Sequence, residues 1–499
     1  MKPADVCLIV EGGYPYVLGG VAFWVDALIR SLPQFRFHIV AIRISTQKPE
    51  LRFELPSNVV GVQDIVLDGH VPGARARGSR EAALPGVFAG FRALLSGENE
   101  SLLQALLREI VDNNLGSKAL LDSREAWCAM EADYEALFQN LPLLDFFWAW
   151  RFLLRSVINI AMAPLPNARL YHSVSTGYAG LFGVRAKIAS NRPLLLTEHG
   201  IYTNERRMEL CSADWIFESG ASGYSVDSRN IELRDVWTNA FLAFSRAAYA
   251  SADAITAQYR ANQQVQLQDG ALSEKLRLIP NGVNYDRLCS SARIRSAESR
   301  PTILMVARIV PIKDVRTFIL AAEMLAQIVP DVEAIIIGPE DEDQDYAAEC
   351  RSLVRQGRLE RVVTFEGRVP DIMDYYPRAD VFALTSISEA QPLALLEAGA
   401  AGLPIVTTDV GSCREILGLV DDPDELEPGG FVVPPGDPRA FAEAAAKLLL
   451  NPSLCARMGA AMRERVGRIY NQTRVRRLYA DFYEEHLGGE TSSHQVERV

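Results

Sequence analysis

The seven cysteines, Cys7, Cys128, Cys211, Cys289, Cys350, Cys413 and Cys455, are scattered, odd in number and contain no Cys-x-x-Cys pair. That excludes a disulfide framework and a paired-cysteine metal ribbon, and it points to a reduced, cytoplasmic setting. There is no excess of positive charge: 51 Lys and Arg against 63 Asp and Glu leave a net charge of −12, which argues against general nucleic-acid binding. Long apolar runs are missing as well. The first, Val6 to Val10, is a five-residue run ended by Glu11 and reads as a strand rather than a signal peptide. The most membrane-like stretch, Leu141 to Leu165, is interrupted by Asp145, Arg151 and Arg155. A spanning helix needs about 20 mostly apolar residues, so this one reads as a buried helix, with an interfacial, partner-docking helix as the lesser reading.

What is present is alternation. At 499 residues the chain exceeds one ordinary core, and two or three domains are expected. Short apolar runs recur at Val6–Val10, Phe37–Ile42, Val59–Val62, Leu170–Val174, Leu194–Thr197, Ala254–Ala257 and Leu276–Ile279. The pattern resumes at Thr302–Ala307, Ala334–Gly338, Val362–Val369, Val381–Leu384, Pro404–Thr408 and Phe431–Val433. Most are separated by helical spacing, which predicts parallel sheets in an α/β fold with ligands at the carboxyl ends of the strands. Residues from about Gly69 to Leu141 break the alternation with a loop, including Gly73-Ala74-Arg75-Ala76-Arg77-Gly78, and then helices; this looks like an insertion. A polar, irregular loop is expected over Asn204–Asn230, and a short helix over Asp371–Ala379.

The segment between the apolar runs at 381–384 and 404–408 is the most informative. It predicts a helix with Glu389 at its start, where unpaired N–H groups and the helix dipole favour an anion, and Glu397 slightly over two turns on. Two carboxylates so placed reach different parts of one elongated ligand, one a hexose and the other a ribose, with a diphosphate between them. Two Glu on a helix usually form only a solvated face. What changes the reading is Arg308 and Lys313 in one strand-to-helix loop, a planar fork and a point charge able to neutralise a diphosphate.

Glu-x7-Glu preceded by Arg-x4-Lys after a strand resembles the family 4 retaining GT-B glycosyltransferases. The resemblance extends over nearly the whole chain apart from the insertion. Through Glu11-Gly12-Gly13-Tyr14-Pro15-Tyr16-Val17-Leu18-Gly19-Gly20-Val21 and Thr197-Glu198-His199-Gly200-Ile201-Tyr202-Thr203 it is most similar to the cytosolic transferases of Pel exopolysaccharide synthesis. It implies two Rossmann-like, doubly wound domains facing a cleft, with a helical insertion in the first. The ranges that follow are 1–289 for the acceptor-side domain (insertion about 69–141), 290–300 for a linker, 301–469 for the nucleotide-sugar domain, 470–487 for a helix crossing back to the first domain, and 488–499 for a tail.

The same resemblance implies transfer with retention from a UDP-sugar to a growing polysaccharide, without cofactor or metal. His199, Arg308, Lys313 and Glu389 are then the catalytic set. Gly19, Gly20, Arg368, Val369, Ala390, Gln391, Pro392, Leu393 and Glu397 hold the donor, and His172 lies on the acceptor side. Ala390-Gln391-Pro392 departs from the family's commoner Gly-Phe-Gly, so a differently shaped donor pocket is expected. Partners are the UDP-sugar, the polysaccharide acceptor and inner-membrane synthesis or export proteins that recruit a cytoplasmic enzyme; nucleic acid is not one. Two other readings stay open: a UDP-binding scaffold of a membrane synthase, and another GT-B enzyme such as a nucleotide-sugar epimerase.

Overall fold

The computed structural model describes residues 3–47, 49–73, 78–97, 101–139, 141–211, 232–290, 299–420 and 426–488. Residues 74–77 of the Gly/Arg run, most of the 204–230 loop and the 290–300 linker, and all but the first residue of the 488–499 tail lie outside them. The chain divides into two units. One takes the chain up to Ala257, Asn262–Leu278 and the end of the last helix from Ala480; the other takes Gln258–Ala261 and Ile279–Tyr479.

In the first unit, β1 (Ala4–Glu11), β2 (Phe37–Arg43), β3 (Val59–Val66), β4 (Ala168–Ser173), β5 (Leu194–Glu198), β6 (Ala254–Ala257) and β7 (Leu276–Leu278) form one sheet in the order β3-β2-β1-β4-β5-β6-β7. Every pairing is parallel. The sheet winds outward in both directions from β1 and β4, so their carboxyl ends flank the point where the strand order reverses. Helix α1 (Gly20–Ser31) follows β1. The insertion supplies α2 (Ser79–Ser96), α3 (Ser101–Asp112), α4 (Ser117–Leu120) and α5 (Arg124–Leu137), and α6 (Leu143–Met162) leads back to β4. Then come α7 (Tyr178–Ser190), α8 (Tyr202–Cys211), α9 (Leu233–Ser251) and α10 (Arg260–Gln268).

Two expectations change here. Helix α8 occupies the start of the stretch expected to be a loop. Its sequence is polar almost all round, so no apolar stripe announces it; contacts from elsewhere hold it, with the Tyr202 ring edge-on to Phe241 at 5.6 Å and the Arg206 guanidinium 4.9 Å from the Tyr202 ring centre. Helix α6 is buried along Phe146, Trp150, Leu153, Leu154 and Val157, but its first turns leave Leu144 and Trp148 exposed. Its charges sit at the margins, Arg151 paired with Asp122 and Arg155 with Asp68. Among the described residues no helix is long and apolar enough to cross a membrane.

The second unit has β8 (Thr302–Val306), β9 (Glu333–Ile337), β10 (Val363–Gly367), β11 (Val381–Leu384), β12 (Ile405–Thr408) and β13 (Gly430–Val433), all parallel, in the order β10-β9-β8-β11-β12-β13. Strands read as continuous apolar runs because both faces are covered. On one face α12 (Val315–Ile328), α13 (Gln344–Gln356) and α16 (Pro438–Leu449) pack through Phe318, Leu325, Cys350 and Phe441. On the other, α11 (Tyr285–Cys289), α14 (Leu393–Ala400), α15 (Cys413–Ile416) and α17 (Pro452–Ile469) pack through Leu288, Leu396, Ile416 and Met462. Val283 and Leu288 belong to this second core, so residues 279–289 pack with the second unit rather than closing the first. The expected helix at 371–379 is two short 3₁₀ turns, Ile372–Asp374 and Tyr376–Arg378. Pro377 cannot donate the backbone bond that would continue an α-helix.

Helix α18 (Gln472–Leu487) ends within the first unit. There the Tyr483 hydroxyl meets His172 Nδ1 at 2.7 Å, His172 Nε2 meets Thr197 Oγ1 at 2.8 Å, and Thr197 meets Thr256 at 2.6 Å. This chain of bonds crosses β4, β5 and β6 in a fully buried setting. Burial holds the His172 imidazole down, to about 3, below the usual 6.5. A depressed folded-state value stabilises the fold above the unfolded value, and that contribution is lost as pH falls from about 6.5 towards 3.

Removing the Tyr483 hydroxyl as Tyr483→Phe should cost about 1–2 kcal/mol in urea unfolding, because a buried imidazole nitrogen loses its partner. His172→Gln should flatten the acid side of the stability curve by up to about 1.4 kcal/mol per pH unit between pH 6 and pH 4, read by denaturant unfolding at several pH values.

Candidate functional site

In the second unit the strand order reverses between β8 and β11, which brings the loops after those strands together. The β8 loop runs through Arg308 to a 3₁₀ turn at Pro311–Lys313. Asp314 then caps α12, at φ 45°, accepting from the Thr317 N–H. The β11 loop is laid against it by backbone: Ile387 N donates to Ile312 O at 2.9 Å and Thr385 Oγ1 donates to Asp314 O at 2.9 Å. Thr408, at the end of β12, fixes the Ser386 carbonyl at 2.6 Å. This frame places Lys313 Nζ 2.5 Å from Glu389 Oε1, and Ser386 Oγ donates to the same oxygen at 2.6 Å. The pair is mostly enclosed, with the Lys and Glu side chains 18% and 11% exposed. Glu389 Oε2 accepts no hydrogen bond from the described residues.

Glu389 is not on the helix where the sequence reading put it. Helix α14 begins at Leu393, four positions later, because Pro392 disfavours helical backbone at Gln391 and cannot donate within the preceding turn. The rotation and rise expected for Glu389 and Glu397 on one helix therefore do not apply. Ala390 and Gln391 are instead pinned by backbone: the Ser412 N–H reaches Ala390 O at 2.9 Å, Gln391 Oε1 accepts from Asn281 N at 2.6 Å, and Gln391 Nε2 donates to Gln258 O at 3.2 Å. Gly411, at φ 51°, makes this approach possible, since a Cβ there would lie 2.2 Å from Glu389 O.

The remaining residues expected to hold a donor are placed unevenly. Glu397, on α14, accepts from the Tyr376 hydroxyl at 3.1 Å, and burial pushes its carboxyl above the usual range. Leu393 is 45% exposed at the helix start. Arg308 pairs with Glu342 and is half exposed, rather than joining Lys313 and Glu389. Arg368 is solvent-facing beside Asp341, while Val369 packs on the second core. The acidic run after β9 is paired at the surface: Glu340 with Arg351, Asp341 with Arg368, Glu342 with Arg308, and Asp343 caps α13. Among the described residues no cluster of three His, Cys, Asp or Glu could hold a metal ion.

In the first unit, Gly19 and Gly20 open α1 with free space where side chains would stand. Four residues on, Trp24 lies edge-on to His199, with ring centres 4.4 Å apart. His199 therefore sits beside the start of α1, and burial pushes its imidazole down to about 3, so the ring is neutral near pH 7. His172, in contrast, has both ring nitrogens committed in the core and no exposed surface, so it positions structure and not an acceptor.

Sequence reasoning overlooked Glu11, which ends β1 at the reversal point of the first sheet. Its carboxylate accepts from Tyr202 Oη at 2.8 Å and Ala179 N at 3.3 Å, with Arg206 4.0 Å away, and burial raises its affinity for a proton. A charged residue closing the apolar run Val6–Val10 was the available signal. Tyr376 and Gly411 carried none, since each acts through a neighbour more than twenty positions away, Tyr376 on Glu397 and Gly411 on Glu389; Ser386 sits only three positions before Glu389 and was passed over.

Residues 4–274 match the family described as Domain of unknown function (DUF3492), which takes in more than half of the chain. The chain belongs to the DUF3492 family. Residues 289–465 match the family described as Glycosyl transferases group 1, so the second unit carries a group 1 glycosyltransferase domain.

A phosphatidyl-myo-inositol mannosyltransferase of Mycobacterium leprae is 34% identical over 197 residues, covering 38% of this chain and 48% of its own. The amylovoran biosynthesis glycosyltransferase AmsK of Erwinia amylovora is 29% identical over 224 residues, with 43% and 52% covered. The chain spans about half the length of the curated relatives it matches. Among solved structures, Alr3699/HepE of Anabaena in complex with UDP superposes with a TM-score of 0.59 at 16% identity, covering 96% of this chain and 100% of that one. The likeness is one of fold: two parallel sheets, of seven and six strands, in the GT-B class.

Gly411→Ala should disturb the site without unfolding the chain. The forced left-handed backbone and the contact with Glu389 O should cost about 1–3 kcal/mol in thermal or urea unfolding, and a crystal structure should show the Glu389 loop displaced from Lys313.

Proposed function

We propose that this protein is a retaining glycosyltransferase that moves a hexose or N-acetylhexosamine from a UDP-sugar to a growing exopolysaccharide, forming an α-linkage. The observation that carries the reading is the Lys313–Glu389–Ser386 contact at the reversal point of a sheet whose domain matches the group 1 glycosyltransferases. The UDP held by Alr3699/HepE supports a UDP donor. The Pel-like product rests on the resemblance of the 11–21 and 197–203 segments to PelF, and the amylovoran transferase among the relatives is consistent with polysaccharide synthesis. Recruitment to inner-membrane synthesis or export proteins belongs to the same reading.

In this mechanism Lys313 and Arg308 stabilise the charge that grows on the departing diphosphate, Lys as a compact cation and Arg as a fork once it leaves Glu342. Glu389 holds sugar hydroxyls through Oε2 while Lys313 and Ser386 anchor Oε1. Glu397, oriented by Tyr376, takes the ribose hydroxyls. His199, kept neutral by burial, offers a hydrogen bond to the donor sugar without adding charge. The anomeric C–O bond to phosphate breaks as the acceptor oxygen bonds to the same face, and the acceptor proton passes to the leaving phosphate oxygen. No covalent enzyme intermediate is required.

The test is calorimetric binding of UDP, GDP, ADP and NAD, followed by turnover with UDP-glucose, UDP-N-acetylglucosamine, UDP-N-acetylgalactosamine and GDP-mannose. UDP-selective binding that Lys313→Ala weakens, with turnover reduced by about 100–1,000-fold in Lys313→Ala, is expected. Glu397→Gln should weaken UDP binding more than it lowers kcat. UDP binding with no transfer to any oligosaccharide acceptor would instead favour a scaffold, and GDP preference would overturn the donor assignment.

A further inference from the structure

The helical insertion holds a groove that the donor site does not use. It has a volume of about 370 Å³ and lies between the segment after α4, the face of α5 and the first turns of α6. Met130 and Trp150 form part of its buried lining, and the Trp150 indole N–H is already committed to Asp133 at 2.9 Å. Trp127 and Phe147 also line it, with ring centres 6.1 Å apart, and Trp148 continues the aromatic strip 5.1 Å beyond Phe147. Trp127 and Trp148 are 51% and 59% exposed. At the groove, Asp122 pairs through Oδ1 with Arg151, whose other terminal nitrogen donates to Leu121 O at 2.5 Å. Asp122 Oδ2 and Trp127 Nε1 have no hydrogen-bond partner among the described residues.

We propose that this groove binds a neutral saccharide chain. The volume falls in the range of small-ligand sites, about 300–1,000 Å³. Aromatic rings offer apolar faces, and the carboxylate–guanidinium pair beside them offers acceptors and donors with no net charge. A sugar has the matching duality, an apolar C–H face and an edge of hydroxyls.

The other occupants fit less well. An apolar helix or an acyl chain would cover the Asp122–Arg151 pair and the Trp127 N–H without replacing their water contacts, which is costly. An anionic ligand would compete with Asp122 for Arg151 and leave the carboxylate unpaired. That the saccharide is the polymer under construction rests on the transferase reading; the chemistry of the groove does not. A second hold on the growing chain would raise its local concentration at the enzyme by linkage.

The experiment titrates maltopentaose, cellopentaose and chitopentaose into the full chain and follows tryptophan fluorescence and calorimetric heat. At least one should bind the wild type and Lys313→Ala equally, so that failure of the donor reading is seen separately. Trp127→Ala should weaken that binding about tenfold or more. Asp122→Asn, which keeps the shape, should weaken it too, with UDP binding unchanged in both variants. The proposal is overturned if none of the three binds, or if binding survives both substitutions. Attachment to phosphatidylglycerol vesicles that Trp127→Ala abolishes, in the absence of saccharide binding, would overturn it in favour of a membrane-facing surface.

Discussion

The structure of the second unit turns on one constraint, the reversal of winding between β8 and β11. Parallel strands added outward in both directions leave the two central loops with no helix crossing over them, so they must close on each other. Their closure is made by backbone and short hydroxyl side chains, through Ile312 with Ile387, Asp314 with Thr385, and Ser386 with Thr408. Lys313 and Glu389 then meet as a mostly enclosed ion pair, with Asp314 beside Lys313 held at a left-handed φ of 45°. An ion pair of this kind adds little net stability, because desolvation offsets attraction. Its effect is to fix one carboxylate oxygen between Lys313 and Ser386.

The first unit uses the same reversal for a different set of groups. Glu11 ends β1, and Glu198 ends β5 one strand beyond β4; Glu198 is fully buried and Glu11 partly so, and both accept mainly from hydroxyls and amides, Glu11 with Arg206 4.0 Å away. Their environment raises their proton affinity, while burial lowers that of His172 and His199. Burial thus shifts all four groups in the direction of their neutral forms. The second unit instead places charged side chains, Lys313 and Glu389 among them, at its loops.

Much of the fold was legible because parallel strands covered on both faces must be continuous apolar runs, and each such run in the chain became a strand. The helices that were misread lacked the corresponding signal. Helix α8 has no apolar stripe and is held by Phe241, thirty positions and more away from its aromatic and basic residues. The start of α14 was misplaced by four residues because Pro392 was weighed as part of a motif and not as a backbone restriction. His172 was read as a strand-end ligand group, but the last helix delivers Tyr483 to one of its nitrogens from 311 positions away.

The sequence by itself determined the α/β alternation, the candidate charged residues Arg308, Lys313, Glu389 and Glu397, and the helical nature of the insertion. These follow from periodicity and from residue chemistry at strand ends, which are local properties. Tertiary structure alone decided which of those charges meet. It joined Lys313 to Glu389 and Ser386, sent Arg308 to Glu342, gave Glu397 to Tyr376, and set Trp127 beside Phe147 at a groove in the insertion. Such contacts depend on how strands are ordered and how loops close, and a single position in a sequence carries no record of the distant partner it will face.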